Sequence, residues 1–300
     1  MATRNRYYNI EGTIRRGFKL SRDYETLDFS FIKLNDDGVR ALVGSRSIKQ
    51  LKRLTINNNK LTQESGLAIA ESKWLENLQS LKLYRNKIGH EGLKALAESD
   101  KLPSLKSLRL AHNQIGPEGA KFVAESKNFG GLTSLGLSEN NLGDEGVRIL
   151  CGSDTFQHVK KLSLWGNDVS EKGAKMISES SNLQNLTELK LTRNKVGDEG
   201  IVAIVGSQNS KNITFLDLSA NQISDRGAMA IANSPHLVNL KTLDLYNNQI
   251  TEKGMEALLN SKTLKSLELL ILIRNEINPE LSDDLAKNQS LPSLRRLEVF

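Results

Sequence analysis

Apolar positions along the chain repeat in a fixed frame. Counting back from an asparagine, leucine or a similar residue stands eight, five and three places before it, and another stands two places after; Leu78, Leu81, Leu83 and Ile88 do so around Asn86. The asparagine itself returns every 27 residues, at Asn59, Asn86, Asn113, Asn140, Asn167, Asn194, Asn221, Asn248 and Asn275. A constant internal period of this length marks a solenoid, in which each unit buries its apolar face against its neighbours. Alternation at Leu81 and Leu83 predicts a short strand with those two side chains inward and Lys82 and Tyr84 outward. The asparagine follows where the chain leaves the sheet. Its amide is expected to satisfy loop backbone groups that burial would otherwise leave unpaired.

The second half of each unit reads as a helix. Three residues after the asparagine position stand Asn35, Thr62, Gly89, Gly116, Gly143, Ser170, Gly197, Ser224, Thr251 and Asn278, all residue types favoured at a helix N-cap. Pro117, Pro279 and several acids occupy the next place, which suits the first helical turn and its dipole. A glycine column from Gly38 to Gly254 is expected to let each helix lie close to a neighbour. A serine column, Ser45, Ser72, Ser99, Ser126, Ser153, Ser180, Ser207, Ser234 and Ser261, is read as a local hydroxyl-to-backbone bond near each helix end.

The frame L-x-x-L-x-L-x-x-N-x-L resembles a leucine-rich repeat, from about residue 24 to the C-terminus. Units such as Asn140-Asn141-Leu142-Gly143-Asp144-Glu145-Gly146 and Asn194-Lys195-Val196-Gly197-Asp198-Glu199-Gly200 are similar to the ribonuclease-inhibitor-like class, and the wording is most similar to stand-alone bacterial members. The resemblance implies an α/β fold: a right-handed leucine-rich-repeat solenoid, or horseshoe, of 27-residue repeats with a concave parallel β-sheet, helices on the convex side, and a partner protein bound on the concave face. It does not imply ribonuclease inhibition, because the cysteine-rich helix ends of the vertebrate inhibitors are absent here.

Length alone would suggest two domains for 300 residues, but the unbroken period predicts one elongated domain, with residues 1–23 as an N-terminal cap or leader and 24–300 as about ten repeats plus a terminal strand. The leader matches no unit. It carries Arg4, Arg6, Arg15, Arg16, Lys19 and Arg22 among Tyr7, Tyr8, Ile10, Ile14, Phe18 and Leu20, and is read as a hairpin covering the first layer. Ile32 stands where the first asparagine belongs. Near the other end two registers compete: if Asn275 sets the frame, Leu269, Ile271 and Ile273 point out of the concave face, and either a C-terminal self-contact or a partner is expected to cover them.

No apolar run of about 18 residues and no N-terminal signal pattern occur, so no membrane span is predicted. The single cysteine, Cys151, fits a small buried side chain in a reducing compartment. These features point to a cytoplasmic protein, the alternative being delivery into a host cell by a non-Sec route. No P-loop, G-x-S-x-G, G-x-G-x-x-G, H-E-x-x-H or paired C-x-x-C is present, and His90, His112, His158 and His236 fall in different units. No enzymatic activity, metal site or cofactor is therefore expected.

Specificity is left to the concave positions. Around Asn59, Asn86 and Asn113 they hold Arg53, Lys60, Lys82, Arg85, Lys87, Arg109 and His112 without a carboxylate, and Lys82 should face Arg109 across the sheet. Later units mix signs, with Glu188, Lys190, Arg193, Asp217 and Asp244. Tyr84, Trp165 and Tyr246 occupy one concave column three units apart, amid small residues, the usual setting of interface anchors. The sequence thus predicts a scaffold binding a protein partner with an acidic surface. The alternative is a polyanion, nucleic acid or an anionic surface, held by the basic first third; a net charge of +6 and the lack of a reading motif argue against nucleic acid. A GTPase-activator-like regulatory role, known on this repeat class, is a further alternative that no residue here supports.

Overall fold

The computed structural model describes residues 9–287 and 289–300, without the side chain of Asp283. The chain forms two compact units, Met1–Asn140 and Asn141–Phe300. The first holds α1 (Ile10–Ser21), then β1 (Thr26–Asp28), α2 (Asp36–Gly44), β2 (Arg53–Thr55), α3 (Gln63–Ala70), β3 (Ser80–Lys82), α4 (Gly89–Glu98), β4 (Ser107–Arg109), α5 (Gly116–Glu125) and β5 (Ser134–Gly136). The second runs α6 (Gly143–Cys151), β6 (Lys161–Ser163), α7 (Glu171–Glu179), β7 (Glu188–Lys190), α8 (Gly197–Gly206), β8 (Phe215–Asp217), α9 (Asp225–Ala232), β9 (Thr242–Asp244), α10 (Glu252–Leu259), β10 (Leu269–Ile271), α11 (Pro279–Lys287) and β11 (Arg296–Glu298).

Within each unit every strand pairs in parallel with the next, one repeat on. Leu27, Leu54, Leu81, Leu108 and Leu135 form one row, and Leu162, Leu189, Leu216, Leu243, Leu270 and Leu297 another. The inward pair of each strand meets the inward face of its helix. Leu81, Leu83, Ile88, Leu93 and Leu96, for example, are completely shielded from solvent. Burial of each such side chain contributes about 1.5–3 kcal/mol relative to exposure. The α/β solenoid expected from the repeat is what the structure shows, and the frame set by Asn275 holds to the end: Leu267, Leu270 and Leu272 are buried while Leu269, Ile271 and Ile273 point outward, half-buried.

The asparagines do what buried amides must do, and they do it between repeats. Asn86 Nδ2 donates to the carbonyls of Leu83 (2.8 Å) and, in the preceding repeat, Ile56 (3.1 Å). Its Oδ1 accepts from the N–H groups of Asn59 (3.0 Å) and Leu61 (3.1 Å). The first turn, where Ile32 stands in the asparagine's place, is served as the later ones are by the next asparagine: Asn59 accepts from Leu34 N–H at 2.9 Å, as Asn86 does from Leu61.

Two columns correct the sequence reading. The serine hydroxyls make the expected local bond, but not that alone. Ser72 Oγ donates to the carbonyl of Val43 (2.6 Å), Ser126 to Ala97 (2.6 Å) and Ser180 to Cys151 (2.8 Å), each 29 residues earlier, while accepting locally from the N–H two residues on where Ser72 and Ser180 meet Trp74 and Asn182. One hydroxyl can fill both roles, so each serine terminates its own helix and ties it to the previous one. The second correction concerns the caps. Asn35, Thr62, Ser170, Ser224 and Thr251 cap helices through their side chains, but Gly89, Gly116, Gly143 and Gly197 cap nothing. They take left-handed φ of 63, 63, 57 and 58°, which glycine tolerates best, and all four N–H groups donate to the next repeat's asparagine carbonyl, Gly89 to Asn113 and Gly197 to Asn221 at 3.0 Å, Gly116 to Asn140 and Gly143 to Asn167 at 2.9 Å.

The choice between the two kinds of cap follows the preceding repeat. Asp144 accepts from Ser170 N–H (2.8 Å), Ser170 Oγ and Gly173 N–H (3.1 Å). Asp198 does the same for Ser224 and Gly227, Asp225 for Thr251 and Gly254, and Asp36 for Thr62. Before Gly89, Gly116, Gly143 and Gly197 that position holds Gln63, His90, Pro117 and Glu171, never aspartate. A hydroxyl cap appears where a carboxylate in the previous repeat can receive it. The glycine column, as expected, permits close helices: a Cβ added at Gly200 would lie 2.9 Å from Ala174 Cβ.

The leader is a helix rather than a hairpin, with residues 1–8 outside the described residues. Asn9 caps α1 by accepting from Gly12 N–H at 2.7 Å, and Ile14 and Phe18 are buried. Glu11 receives the hydroxyls of Ser45 and Ser47 (2.6 Å for the latter), standing in for the helix-end carbonyl that Ser72, Ser126 and Ser180 find in the preceding repeat. Those two bonds lower the Glu11 carboxyl below its ordinary range.

Candidate interaction surface

The sheet face turned away from the helices carries the side chains that the scaffold leaves free. In the first unit Lys82 stands directly opposite Arg109 in the register, as the sequence predicted. Arg109 lies across the small Gly136, its Cγ 3.5 Å from where a Cβ there would sit. Arg85 places its guanidinium 5.7 Å from the ring centre of half-buried Tyr84, whose backbone N–H is fixed by Asn57 Oδ1 at 2.8 Å. Lys60, Lys87 and His112 are exposed at the turn edge of the same face. Among the described residues none of Lys60, Lys82, Arg85, Lys87 and Arg109 has a carboxylate within 4 Å. Arg53 differs. It pairs with Asp23 at 2.7 Å and bonds Thr26 Oγ1 at 2.8 Å, so its charge is taken up by the segment after α1 that the sequence reading had left out of account.

The second unit is built otherwise. Arg193 stands over Trp165 (5.8 Å to the ring centre) and Arg274 over Tyr246 (5.4 Å). The indole Nε1 of Trp165 is buried and has no hydrogen-bond partner among the described residues. Between β7 and β10 the central row reads Lys190, Asp217, Asp244, Ile271 in register. Lys190 is neutralised by Glu188 at 3.2 Å, which also holds Lys161 at 3.0 Å. Asp217 accepts from Ser219 N–H and Oγ (3.1 and 2.7 Å), and Asp244 from Tyr246 N–H (2.9 Å). Burial raises the Asp244 carboxyl above its ordinary value; the Tyr246 N–H opposes this, and the charges of Asp217 and Glu298 add to it.

The structure therefore gathers the nominated residues into two sets: Lys60, Lys82, Tyr84, Arg85, Lys87, Arg109 and His112 in the first unit, and Trp165, Arg193 and Tyr246 in the second. Arg274 was missed. It belongs to a column, the residue before each asparagine, that runs left-handed through Asn58, Arg85, His112, Glu139, Gly166, Arg193, Ala220, Asn247 and Arg274. From that turn Arg193 and Arg274 reach aromatic rings 28 residues earlier, whereas Arg85 lies on the ring of Tyr84 beside it. No group of three His, Cys, Asp or Glu placed to hold a metal occurs among the described residues. Cys151 is buried, with its thiol pushed up to about 12 by desolvation, and is no nucleophile at neutral pH.

A family model described as leucine-rich repeat matches residues 75–97, 101–124, 132–151, 182–205, 209–232 and 236–259. These units are leucine-rich repeats. No curated protein matches the chain. Solved structures of the leucine-rich-repeat fold do. Internalin C2 from Listeria monocytogenes str. 4b F2365 is 22% identical over 78% of this chain and 82% of its own, with a TM-score of 0.51. An internalin (inlF) of the same strain is 17% identical over 96% and 92%, with a TM-score of 0.53. The TLR13 chain of a TLR13-ssRNA13 complex is 23% identical over 84% of this chain and 36% of its own, with a TM-score of 0.52. At such identities the likeness is one of fold. Among the described residues no helix is long and apolar enough to cross a membrane.

Proposed function

We propose that this leucine-rich-repeat chain is a non-enzymatic scaffold that binds a partner protein on the open, concave face of its sheet, the basic row of the first unit meeting an acidic surface. One observation carries the reading: Lys82 and Arg109 face each other in register, and among the described residues no carboxylate lies within 4 Å to relieve them. Like charges directly opposite across a sheet destabilise it. A scaffold that keeps such a pair exposed has its counter-charge elsewhere, and an acidic partner supplies it. Steering by Lys82, Arg85 and Arg109 raises the association rate and makes it salt-sensitive. Tyr84 and Trp165 hold the complex once formed. The helix in every repeat supports the ribonuclease-inhibitor-like class, and the lone, buried Cys151 supports work in a reducing compartment.

The test is surface plasmon resonance at two salt concentrations, with the partner captured from the native source. Lys82→Glu and Arg85→Glu should lower the association rate, more at low salt. Trp165→Ala should raise the dissociation rate roughly 30-fold, the equivalent of about 2 kcal/mol. Binding indifferent to all three would move the site to the helices or to α1. The same basic row also favours a polyanion. In that case nucleic acid binds with a log-log salt slope set by the phosphates neutralised, and Trp165→Ala matters little.

A further inference from the structure

The two arginine-capped aromatics of the second unit join neighbouring repeats, whereas Arg85 of the first unit lies on the ring beside it in the chain. Arg193 and Arg274 are exposed, lie 81 residues and hence three strands apart, and each rests on a ring, at 5.8 Å over Trp165 and 5.4 Å over Tyr246. A guanidinium laid on an aromatic face is held in place while its N–H edge stays available as a two-pronged donor. Among the described residues neither has a carboxylate within 4 Å. With strands about 4.8 Å apart, the two forks stand about 14 Å from each other. That is the reach of about four extended residues. On the two strands between the arginines, two residues before the column of the rings, lie Asp217 and Asp244, opposed in register and themselves without an ion pair, with Lys190 opposite Asp217 on its other side. A carboxylate set between the forks would be repelled there, and a cation would be welcomed.

We infer that the second unit receives an extended partner segment whose two acidic side chains, about four residues apart, seat on Arg193 and Arg274, with a basic residue between them facing Asp217 and Asp244. The inference rests on the scaffold reading and names the chemistry of what one part of that face accepts. Arginine forks bind carboxylates in a bidentate manner. The intervening acids reject a uniformly acidic segment, so selectivity comes from repulsion as well as attraction. The partner is thus acid-base-acid along its length.

The chain has two tryptophans, Trp74 and Trp165. Trp74→Phe leaves Trp165 as the sole indole reporter beneath Arg193. The probe is a synthetic peptide of glycine, serine and threonine bearing two glutamates about four residues apart and a lysine midway. Titration should change Trp165 emission saturably. Arg193→Ala and Arg274→Ala should each weaken the peptide at least tenfold, Arg193→Lys should weaken it less than Arg193→Ala, and replacing the lysine by glutamate or bringing the glutamates adjacent should weaken it similarly. Circular dichroism checks that each variant is folded. No saturable change, or affinity indifferent to the two arginines or to the spacing, overturns the inference. So does a captured partner that responds to Lys82→Glu and Arg85→Glu but not to Arg193→Ala and Arg274→Ala; that result leaves the scaffold reading standing.

Discussion

The open faces of the two units are built on the same repeat and carry opposite electrostatics. In the first, Lys82 and Arg109 are adjacent like charges with no balancing carboxylate among the described residues; in the second, Asp217 and Asp244 are the adjacent like charges, and the cations are either paired, as Lys190 is, or laid on aromatic rings a repeat away, as Arg193 and Arg274 are. This divergence is possible because the residues that hold repeat to repeat are confined to other columns. The asparagine amides, the serine hydroxyls and the aspartate caps are turned into the body of the solenoid and spend their bonds on neighbouring backbone. The open face inherits the scaffold's spacing without its constraints, so charge there can be rewritten strand by strand.

If that separation is right, breaking the ladder must cost the same in either unit. Asn113→Ala and Asn221→Ala each remove an amide that is wholly buried and bonded across repeats. Each should lose roughly 1–3 kcal/mol for every backbone group left unpaired, the largest effect expected here. Calorimetric unfolding checks it. A loss confined to one of the two variants would mean that the ladder is not shared.

The aspartate caps come next. Asp225→Ala in the second unit and Asp36→Ala in the first remove a carboxylate that receives the following repeat's Thr251 or Thr62. A loss of about 1–2 kcal/mol is expected in each, as for other helix caps. Denaturant melts showing either variant as stable as the parent would remove that bond from the account.

A smaller effect separates the faces. Lys82→Glu in the first unit and Asp244→Lys in the second, where the other register neighbour is the uncharged Ile271, each turn a repelling register pair into an attracting one. Both should stabilise by about 0.2–1 kcal/mol, and both gains should shrink as salt is added. Stabilisation that is blind to salt would point to packing instead.

Mild acid should sharpen the contrast, because the groups involved move in opposite directions. Glu11 is held below its ordinary value by Ser45 and Ser47, so the stability it contributes is present above that ordinary value and is lost as pH falls through the lowered one. Asp244 is raised, first by burial and then by Asp217, so the folded state binds its proton more tightly. Its contribution is favourable below the ordinary value of 3.8 and is lost as pH rises through the raised one. Asp217→Asn should reduce that loss and Glu11→Gln should abolish the acid sensitivity it causes. Hydrogen exchange followed by peptide across the acid range reads both, and a common sign in the two regions would contradict the assignment.

Most of this architecture was legible from the chain. The period, strand register, inward leucines and like-charge pair at Lys82 and Arg109 follow from counting, because parallel pairing at a constant repeat length converts sequence spacing directly into lateral neighbours. What counting missed are bonds whose second partner carries no signature of its own. The serine column was visible, but a backbone carbonyl 29 residues earlier leaves no mark in the sequence. The arginine over Tyr246 was missed because the left-handed column before the asparagines holds Arg, His, Glu and Ala as readily as Asn or Gly, so composition does not announce the turn. The helix of the leader has a signal of its own, Ile10, Ile14 and Phe18 four residues apart, but it lies outside the 27-residue frame from which the other elements were read; its purpose emerged only from Glu11 taking the place of a missing carbonyl.

The matching of hydroxyl caps to aspartates gives the repeats a grammar of adjacency. Joining Gln63 to Gly116 by excising residues 89–115 brings together partners of compatible kind, since neither side asks for the other's bond. Excising residues 170–196 instead sets Asp144 before Gly197, and the carboxylate is left facing a residue with no hydroxyl to offer. Duplication and loss, the ordinary currency by which such arrays lengthen and shorten, are therefore not equally open at every joint: the order of these units is part of what the gene must copy faithfully, even where the units themselves look interchangeable.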